Sequence, residues 1–327
     1  MVERRTKAEV KTGTRKAVAK RPPTPKLAPK LAPKLAPGLE RFNKMVISAL
    51  GTSQRDWLFS VQGIEAVPGP ETDAPLVART SARLDHQALR RQANLDCILY
   101  RALSILPKGT DKEGIEKGEI DVDWAPKMLT LAADCGDPER QAIWARLLVM
   151  EVAKPGSVPP VAAELMSRMT GEMLEHFRDL ARLTIDNFVV RVDEDYLAEA
   201  GLTSNVILLL EEYGLLRANR DLSKIFRSQK EDSFSTNLLY ADKILRVKAD
   251  DPSMDLNFQC LRLTQAGAAL AEAIAIEEGV TTDTGYIIEI VRLFQRKGYK
   301  VEHADILERS GPDTVRRHTS FCELVVL

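Results

Sequence analysis

The amino-acid sequence predicts a mainly α-helical fold: a disordered basic arm, then a helical bundle, then a winged-helix-like α+β domain. Three observations support this prediction. Leu, Ala, Glu, Arg and Lys dominate the 327 residues, and these residue types favour helix. Apolar residues recur at three- and four-residue steps through most of 76–183. Beyond residue 184, the patterns follow the order helix, helix, strand, hairpin, helix, which is typical of a winged helix-turn-helix.

A low-complexity basic segment precedes the predicted bundle. Residues 26–37 are three tandem copies of Lys-Leu-Ala-Pro, and a proline at every fourth position blocks helix. Residues 1–40 contain 11 Lys and Arg against 3 Asp and Glu, whereas the formal net charge of the chain is −1. We therefore expect a disordered arm at 1–37. It is either a solubilising leader or a tether that holds nucleic acid or an anionic lipid surface by charge.

The predicted helical bundle spans 76–183 and follows a short helix and linker at 38–75. In its stretch 141–157, Glu151 interrupts an otherwise apolar helix face, and Pro155-Gly156 end the helix. Because a carboxylate among apolar neighbours needs partners, we expect Glu151 to accept hydrogen bonds from a neighbouring helix end or from an arginine of 79–91. The residues expected to form a structural keystone are Trp124, Gln141, Trp144, Leu148, Glu151, Pro155 and Gly156.

A winged-helix-like domain is predicted at 184–280, with a C-terminal helix and strand extension at 281–327. Its second helix, 203–213, would enter the DNA groove, but it contains no Lys or Arg and carries Glu211 and Glu212. The alternating segments 240–247 and 256–264 predict the two strands of a wing. Basic side chains concentrate at 217–248 instead. The candidate nucleic-acid contacts are Arg217, Arg220, Lys224, Arg227, Lys230, Lys243, Arg246 and Lys248.

The sequence contains no recognisable catalytic motif: no P-loop, no Gly-x-Ser-x-Gly and no His-Glu-x-x-His. Asp121 and Asp123 are candidate metal ligands, but their position just before a helix favours capping. The four cysteines lie far apart, which argues against a zinc site or a disulfide framework. No apolar run approaches the roughly 20 residues that span a bilayer. We therefore expect a cytoplasmic protein without catalytic residues, cofactor or metal, and without a membrane as partner.

Several short runs occur in the order found in a known family. They are Gln92–Asn94, Asp123-Trp124, the run Gln141-x-x-Trp144-Ala145-x-x-Leu148-x-x-Glu151-x-x-x-Pro155-Gly156-Ser157, Gly214-Leu215-Leu216, and the Leu-Thr-x-x-Gly of Leu263–Gly267. Over about residues 84–275 the chain resembles a bacterial family called domain of unknown function 2806. Members tend to continue Pro-Gly-Ser with Ser-x-Arg-Thr, whereas Val158-Pro159-Pro160 stand here. The family has no established activity, and the resemblance implies a bacterial protein in a phage-defence or mobile-element setting.

Two functions are consistent with these patterns. The first is a non-catalytic regulatory or protein-interaction protein, which acts on a protein partner or associates with itself. The alternative is a DNA-binding regulator that contacts phosphates through the wing at 217–248 and through the basic arm.

Overall fold

The computed structural model of the chain describes residues 37–54, 56, 73–106, 118–219, 221–228, 231–279, 281–311 and 314–324. The chain divides into two units, Met1–Gly69 and Pro70–Leu327. In the first unit, helix α1 spans Pro37–Leu50 and buries Val46, whereas Phe42 is exposed. The predicted basic arm at 1–37 lies outside the described residues, apart from Pro37.

The described part of 73–182 is mainly helical, as the periodicity of the sequence predicts. Its helices are α2 (Asp73–Ile105), α3 (Trp124–Ala132), α4 (Pro138–Ala153), α5 (Pro160–Arg168) and α6 (Gly171–Arg182). Local capping explains where α4 begins, because the Asp137 carboxylate accepts a hydrogen bond from the Arg140 amide and Pro138 occupies the first helical position. Within the ranges that the structure describes, no helix is both long and apolar enough to cross a membrane.

The strands of the described chain lie between residues 188 and 324, interspersed with further helices. The helices are α7 (Glu194–Glu199), α8 (Ser204–Glu212), α9 (Gln265–Glu278) and α10 (Thr284–Gln295). The strands are β1 (Phe188–Val190), β2 (Leu216–Arg217), β3 (Ser223–Arg227), β4 (Phe234–Tyr240), β5 (Lys243–Ala249), β6 (Asp255–Leu263), β7 (Lys300–Gly311), β8 (Thr314–His318) and β9 (Cys322–Leu324).

These strands form two antiparallel sheets, called here the first and the second sheet. In the first sheet, β6 is the common partner of β1, β2 and β3. In the second sheet the order is β4-β5-β7-β8, and β9 also pairs with β7. Residues that lie opposite one another on neighbouring strands share a face, so this register decides which side chains can meet.

The prediction of a mainly α-helical fold is wrong, because 53% of the described residues are helical and 21% are in strands. The fold is α+β. The predicted wing hairpin is also wrong: β5 pairs with β4 and β7, whereas β6 pairs with strands of the other sheet. The turn Asp250–Ser253 therefore connects two sheets and not two paired strands. Alternation of apolar residues identifies a strand and its buried face, but it does not identify the pairing partner.

Helix α10 joins both sheets through aromatic contacts. The Phe294 ring lies 5.3 Å from the ring of Phe258 on β6, and the Tyr286 ring lies 5.6 Å from that of Tyr240 on β4. Buried side chains of the helices and of both sheets belong to one hydrophobic cluster. This shared core holds the two sheets in a defined position relative to each other.

The beginning of α9 packs directly on the turn that precedes β2. The Thr264 amide donates to the Leu215 carbonyl at 3.0 Å, and the Thr264 hydroxyl donates to the Gly214 carbonyl at 2.8 Å. The same hydroxyl accepts a hydrogen bond from the Gly267 amide at 3.0 Å. The runs Gly214–Leu216 and Leu263–Gly267, which are far apart in sequence, are therefore two sides of one junction.

A second junction centres on Asp283, which caps α10. The carboxylate accepts hydrogen bonds from the Tyr196 hydroxyl at 2.7 Å and from the Tyr286 amide at 3.0 Å. The Arg182 guanidinium lies 3.8 Å away. Burial raises the pKa of Asp283, but these hydrogen bonds and the nearby arginine outweigh burial and lower the pKa below its usual range.

We expect Asp283→Asn to reduce the free energy of unfolding by about 1 kcal/mol at pH 7. Because the folded-state pKa is lowered, the charged carboxylate stabilises the fold above the unfolded value of about 3.9. That contribution is lost as the pH falls through the lower folded-state pKa. Urea unfolding at several pH values measures this. The control is Asp85→Asn, an exposed carboxylate on α2, and a difference for Asp283→Asn that stays constant down to low pH would contradict the expectation.

Candidate functional site

A polar cleft of about 700 Å³ lies between the first and the second sheet. From the first-sheet side it is lined by Asp186, Asn187 and Lys224. From the second-sheet side its polar and aromatic lining consists of Asn237, Arg246, His318 and Phe321. The cleft therefore combines two permanent cations with one carboxylate, two side-chain amides and an aromatic ring. This composition suits an anionic ligand that also has hydrogen-bonding edges.

Lys224 reaches the cleft from the middle of β3, directly opposite Phe258. Its ammonium group lies 5.5 Å from the centre of the Phe188 ring and 5.4 Å from that of the Phe226 ring. Contacts of this kind attract a cation without neutralising its charge. In the part of the chain that the structure describes, Lys224 has no carboxylate within ion-pair distance. Its charge is therefore available to a ligand.

Arg246 is on β5 of the second sheet and lines the side of the cleft opposite Lys224. Its guanidinium lies over the Phe321 ring, with the central carbon 3.3 Å from the ring centre. The Arg246 Nε donates to the side-chain Oδ1 of Asn237 at 3.3 Å, across the β4–β5 pair. The His318 ring meets Phe321 edge-on at 4.8 Å. Arg246 and Phe321 thus form a planar, positively charged stack at the cleft wall.

The first sheet extends the basic surface beyond the cleft. Arg217 on β2 lies directly opposite Arg262 on β6, and both are exposed. Like charges in such a pair destabilise a sheet, yet neither arginine has an ion-pair partner among the described residues. Burial raises the pKa of the Cys260 thiol, and the positive charges of Lys224, Arg191 and Arg262 oppose that rise. Lys224 lies opposite Phe258 and Arg217 lies opposite Arg262, and Phe258 and Arg262 are on the same face of β6.

The eight predicted nucleic-acid contacts have different surroundings in the structure. Lys224 and Arg246 line the cleft, and Arg217 lies on the adjoining basic face. Four of the eight are in ion pairs: Arg227 with Asp255, Lys243 with Asp305, Lys248 with Glu302, and Arg246 with the same Glu302 at 4.0 Å. Arg220 and Lys230 lie outside the described residues. The charge of the predicted segment is thus divided between Lys224 and Arg217, which have no ion-pair partner among the described residues, and four paired cations.

The predicted keystone residues lie mainly at the end of α4. Glu151 is only 1% exposed, and its two oxygens accept hydrogen bonds from the amides of Gly156 at 2.7 Å and Val158 at 2.9 Å. The Trp124 indole donates to the Val158 carbonyl at 2.7 Å. Glu151 therefore bonds the loop that leads into α5, and not an arginine of α2.

The other predicted keystone residues surround this loop or lie deeper in the bundle. Gln141 and Trp144 are buried, and the Gln141 amide donates to the Cys135 carbonyl at 2.9 Å. Leu148 and Pro155 are half-buried, and Gly156 has a positive φ of 85°. These side chains support the architecture of the bundle and do not line the cleft.

The candidate metal ligands Asp121 and Asp123 lie in the turn that precedes α3. The Asp121 carboxylate accepts a hydrogen bond from the Asp123 amide at 2.9 Å, and Asp123 stands at the N-cap of α3 without a side-chain capping bond. Across the described ranges, no group of three or more His, Cys, Asp or Glu side chains is placed to hold a metal ion.

Six residues of the candidate site are not predicted from the sequence: Asp186, Asn187, Asn237, Arg262, His318 and Phe321. Arg262 had a signal, because it is a charged residue between Leu261 and Leu263 in a strand of alternating pattern. The others have none, since they reach the cleft only through the pairing of distant strands.

Comparison with known proteins gives a family match over one segment of the chain and no activity. Residues 78–195 match the model of a family described as "Protein of unknown function (DUF2806)". The predicted resemblance is confirmed over this segment, which contains the runs from Gln92 to Ser157, while Gly214–Leu216 and Leu263–Gly267 lie beyond it. No curated protein and no solved structure shows a significant match.

Proposed function

We propose that the protein is a non-catalytic binding protein of the bacterial cytoplasm and that its ligand is a nucleic acid. The observation that carries the proposal is the group of cations on the first sheet that have no ion-pair partner among the described residues: Arg217, Lys224 and Arg262. Arg246 lies across the cleft from Lys224, and its guanidinium is also 4.0 Å from the Glu302 carboxylate. Phosphates supply most of the affinity in nucleic-acid binding, and Lys and Arg supply most contacts to them.

In this proposal the strands contact the nucleic acid, and no helix enters a groove. Helix α8, the expected recognition helix, carries Glu211, whose carboxylate accepts a hydrogen bond from the Ala218 amide at 2.9 Å. Glu211 therefore has a structural role beside β2, and its charge would repel phosphates. The basic face of the first sheet offers the opposite charge without that obstacle.

We expect the double variant Lys224→Glu and Arg262→Glu to bind nucleic acid at least about tenfold more weakly than the wild type. Each lost phosphate contact should also reduce the slope of log affinity against log salt by about one. Fluorescence anisotropy with a labelled random-sequence oligonucleotide, titrated at several salt concentrations, measures both quantities.

The matched control is Arg227→Glu, a charge reversal on the same strand as Lys224. Arg227 is three residues from Lys224 on β3, so its side chain lies on the opposite face of the strand. Its guanidinium is paired with Asp255 at 3.5 Å. Its reversal should leave affinity and salt dependence nearly unchanged. Equal losses in both variants would indicate non-specific attraction, and no measurable affinity of the wild type would refute the proposed function.

A second candidate function is interaction with a protein partner or a second copy, favoured by helix α2. Leu89 is 72% exposed, Tyr100 is 73% exposed and Leu103 is 68% exposed, all on the side of the helix opposite the buried Ile98. Large apolar side chains grouped in this way are typical of interaction surfaces. A wild type that fails to bind nucleic acid would favour this candidate, as would the phage-defence or mobile-element setting that the family resemblance implies.

A further inference from the structure

The cleft contains groups that phosphate binding alone does not require. Phosphates need cations or amide donors, yet the wall of the cleft also presents the stacked Arg246 and Phe321. The side-chain amides of Asn187 and Asn237 lie on opposite sides of the same space. A planar stack with amides beside it is the chemistry that recognises the flat face and the polar edge of a nucleobase.

We infer that the cleft binds one unpaired nucleotide, so that the preferred ligand is a single-stranded nucleic acid. This inference rests on the proposed function and narrows its ligand class. In this arrangement the base stacks on the plane of Arg246 and Phe321, and Lys224 contacts an adjacent phosphate. The cations Arg217 and Arg262 then contact the phosphates of the strand outside the cleft.

The stacking surface is already assembled. The central carbon of the Arg246 guanidinium lies 3.3 Å from the Phe321 ring centre, and the side chain is also held by the hydrogen bond to Asn237 and by Glu302 at 4.0 Å. Bases stack on aromatic rings and on arginine planes alike, with little dependence on sequence. Because both partners are fixed before binding, a base would lose little affinity to the ordering of side chains.

The amide groups are available for a base edge. The Asn187 side chain makes no hydrogen bond within the described chain. Asn237 uses its oxygen to accept from Arg246, which leaves its two N–H donors. An asparagine amide matches the donor and acceptor pattern of a base edge. The backbone of Asn187 is held in place, because its carbonyl oxygen accepts a hydrogen bond from the Leu263 amide at 2.9 Å.

The size and shape of the cleft favour an unpaired base over a duplex. About 700 Å³ lies within the range of small-ligand sites in proteins. Reading a duplex requires an element that projects into a groove, whereas this site is a concavity. Only a base that has left its stack can enter such a space.

The test compares labelled single strands of about 12 nucleotides with the corresponding duplex, using the full-length chain. We expect the wild type to bind the single strand at least about tenfold more tightly. Phe321→Ala should weaken single-strand binding by about fivefold to a hundredfold and leave duplex binding nearly unchanged. Tyr100→Ala, which removes an exposed ring on α2 outside the cleft, is the matched control and should have no effect.

Two further measurements keep the result interpretable. Asn187→Ala removes an amide without removing a ring, and it should also weaken single-strand binding, so the inference can be tested even if Phe321→Ala unfolds. Competition of a nucleoside monophosphate, or of inorganic phosphate, with the labelled strand shows whether the cleft prefers a strand to a free nucleotide or to phosphate. A mononucleotide that binds as tightly as the strand would overturn the inference.

The outcomes also separate the inference from the proposed function. Unchanged single-strand affinity in both Phe321→Ala and Asn187→Ala, with loss of affinity in the Lys224→Glu and Arg262→Glu variant, would refute the base site alone. Equal affinity of the wild type for single strand and duplex would refute it as well. If the wild type binds neither ligand, both the inference and the proposed function fail.

Discussion

Gly267→Ala is expected to lower the free energy of unfolding by about 3 kcal/mol. An added Cβ would lie 2.0 Å from the Leu215 carbonyl oxygen and 3.0 Å from its carbonyl carbon. That carbonyl cannot easily move, because it accepts the hydrogen bond from the Thr264 amide. The clash is with backbone, so no change of side-chain rotamer relieves it. Urea unfolding followed by circular dichroism measures the loss.

The matched control for this substitution is Gly171→Ala, at the first position of α6. An added Cβ there has no neighbour within 4 Å among the described atoms, and alanine has the higher helix propensity. We expect Gly171→Ala to be neutral or slightly stabilising. If Gly267→Ala is as stable as this control, the close packing of α9 on the turn before β2 does not contribute to stability as proposed.

Glu151→Ala is expected to cost about 3 kcal/mol of unfolding free energy. The substitution removes both acceptors from the amides of Gly156 and Val158, and it leaves a cavity beneath the loop. A buried donor without an acceptor loses its hydration without compensation. Glu151→Gln should cost less, because one amide oxygen still accepts while the amide N–H₂ opposes the second N–H.

The control for Glu151 is Glu164→Ala on α5, where the side chain is exposed. Its effect should stay within about 0.5 kcal/mol. Thermal unfolding of the three variants beside the wild type gives the order of stability. A Glu151→Gln variant as stable as the wild type would show that the charge and the second acceptor at this position are dispensable.

The helices of this chain could be predicted closely because their ends are signalled locally. Asp137 and Pro138 begin α4, and Thr203 begins α8 through a hydrogen bond from the Val206 amide. The strands β3 and β4 were not predicted. On β3 the exposed Ile225 lies between half-buried Lys224 and Phe226, so the strand lacks the apolar-in, polar-out pattern that identifies a half-buried sheet.

The candidate site could be predicted only in part, for a physical reason. Charge density along the chain identified Lys224, Arg246 and Arg217, since a basic segment is visible in the sequence alone. Which of the neighbouring cations are neutralised depends on strand register: Glu302 lies directly opposite Arg246, and it pairs with both Arg246 and Lys248. Phe321 meets Arg246 only because the chain returns beside β7 after β8, and no local pattern records that path.

The central position of β6 has a consequence for the synthesis of the chain. Strands β1, β2 and β3 all precede β6 in sequence, and each pairs with it. During translation these three strands have no edge to join until Leu263 has left the ribosome. Helix α9 follows at once and completes the contact with α4. Strands β1, β2 and β3 must therefore wait for a late segment, and non-local pairing of this kind is slow and leaves strand edges exposed to aggregation.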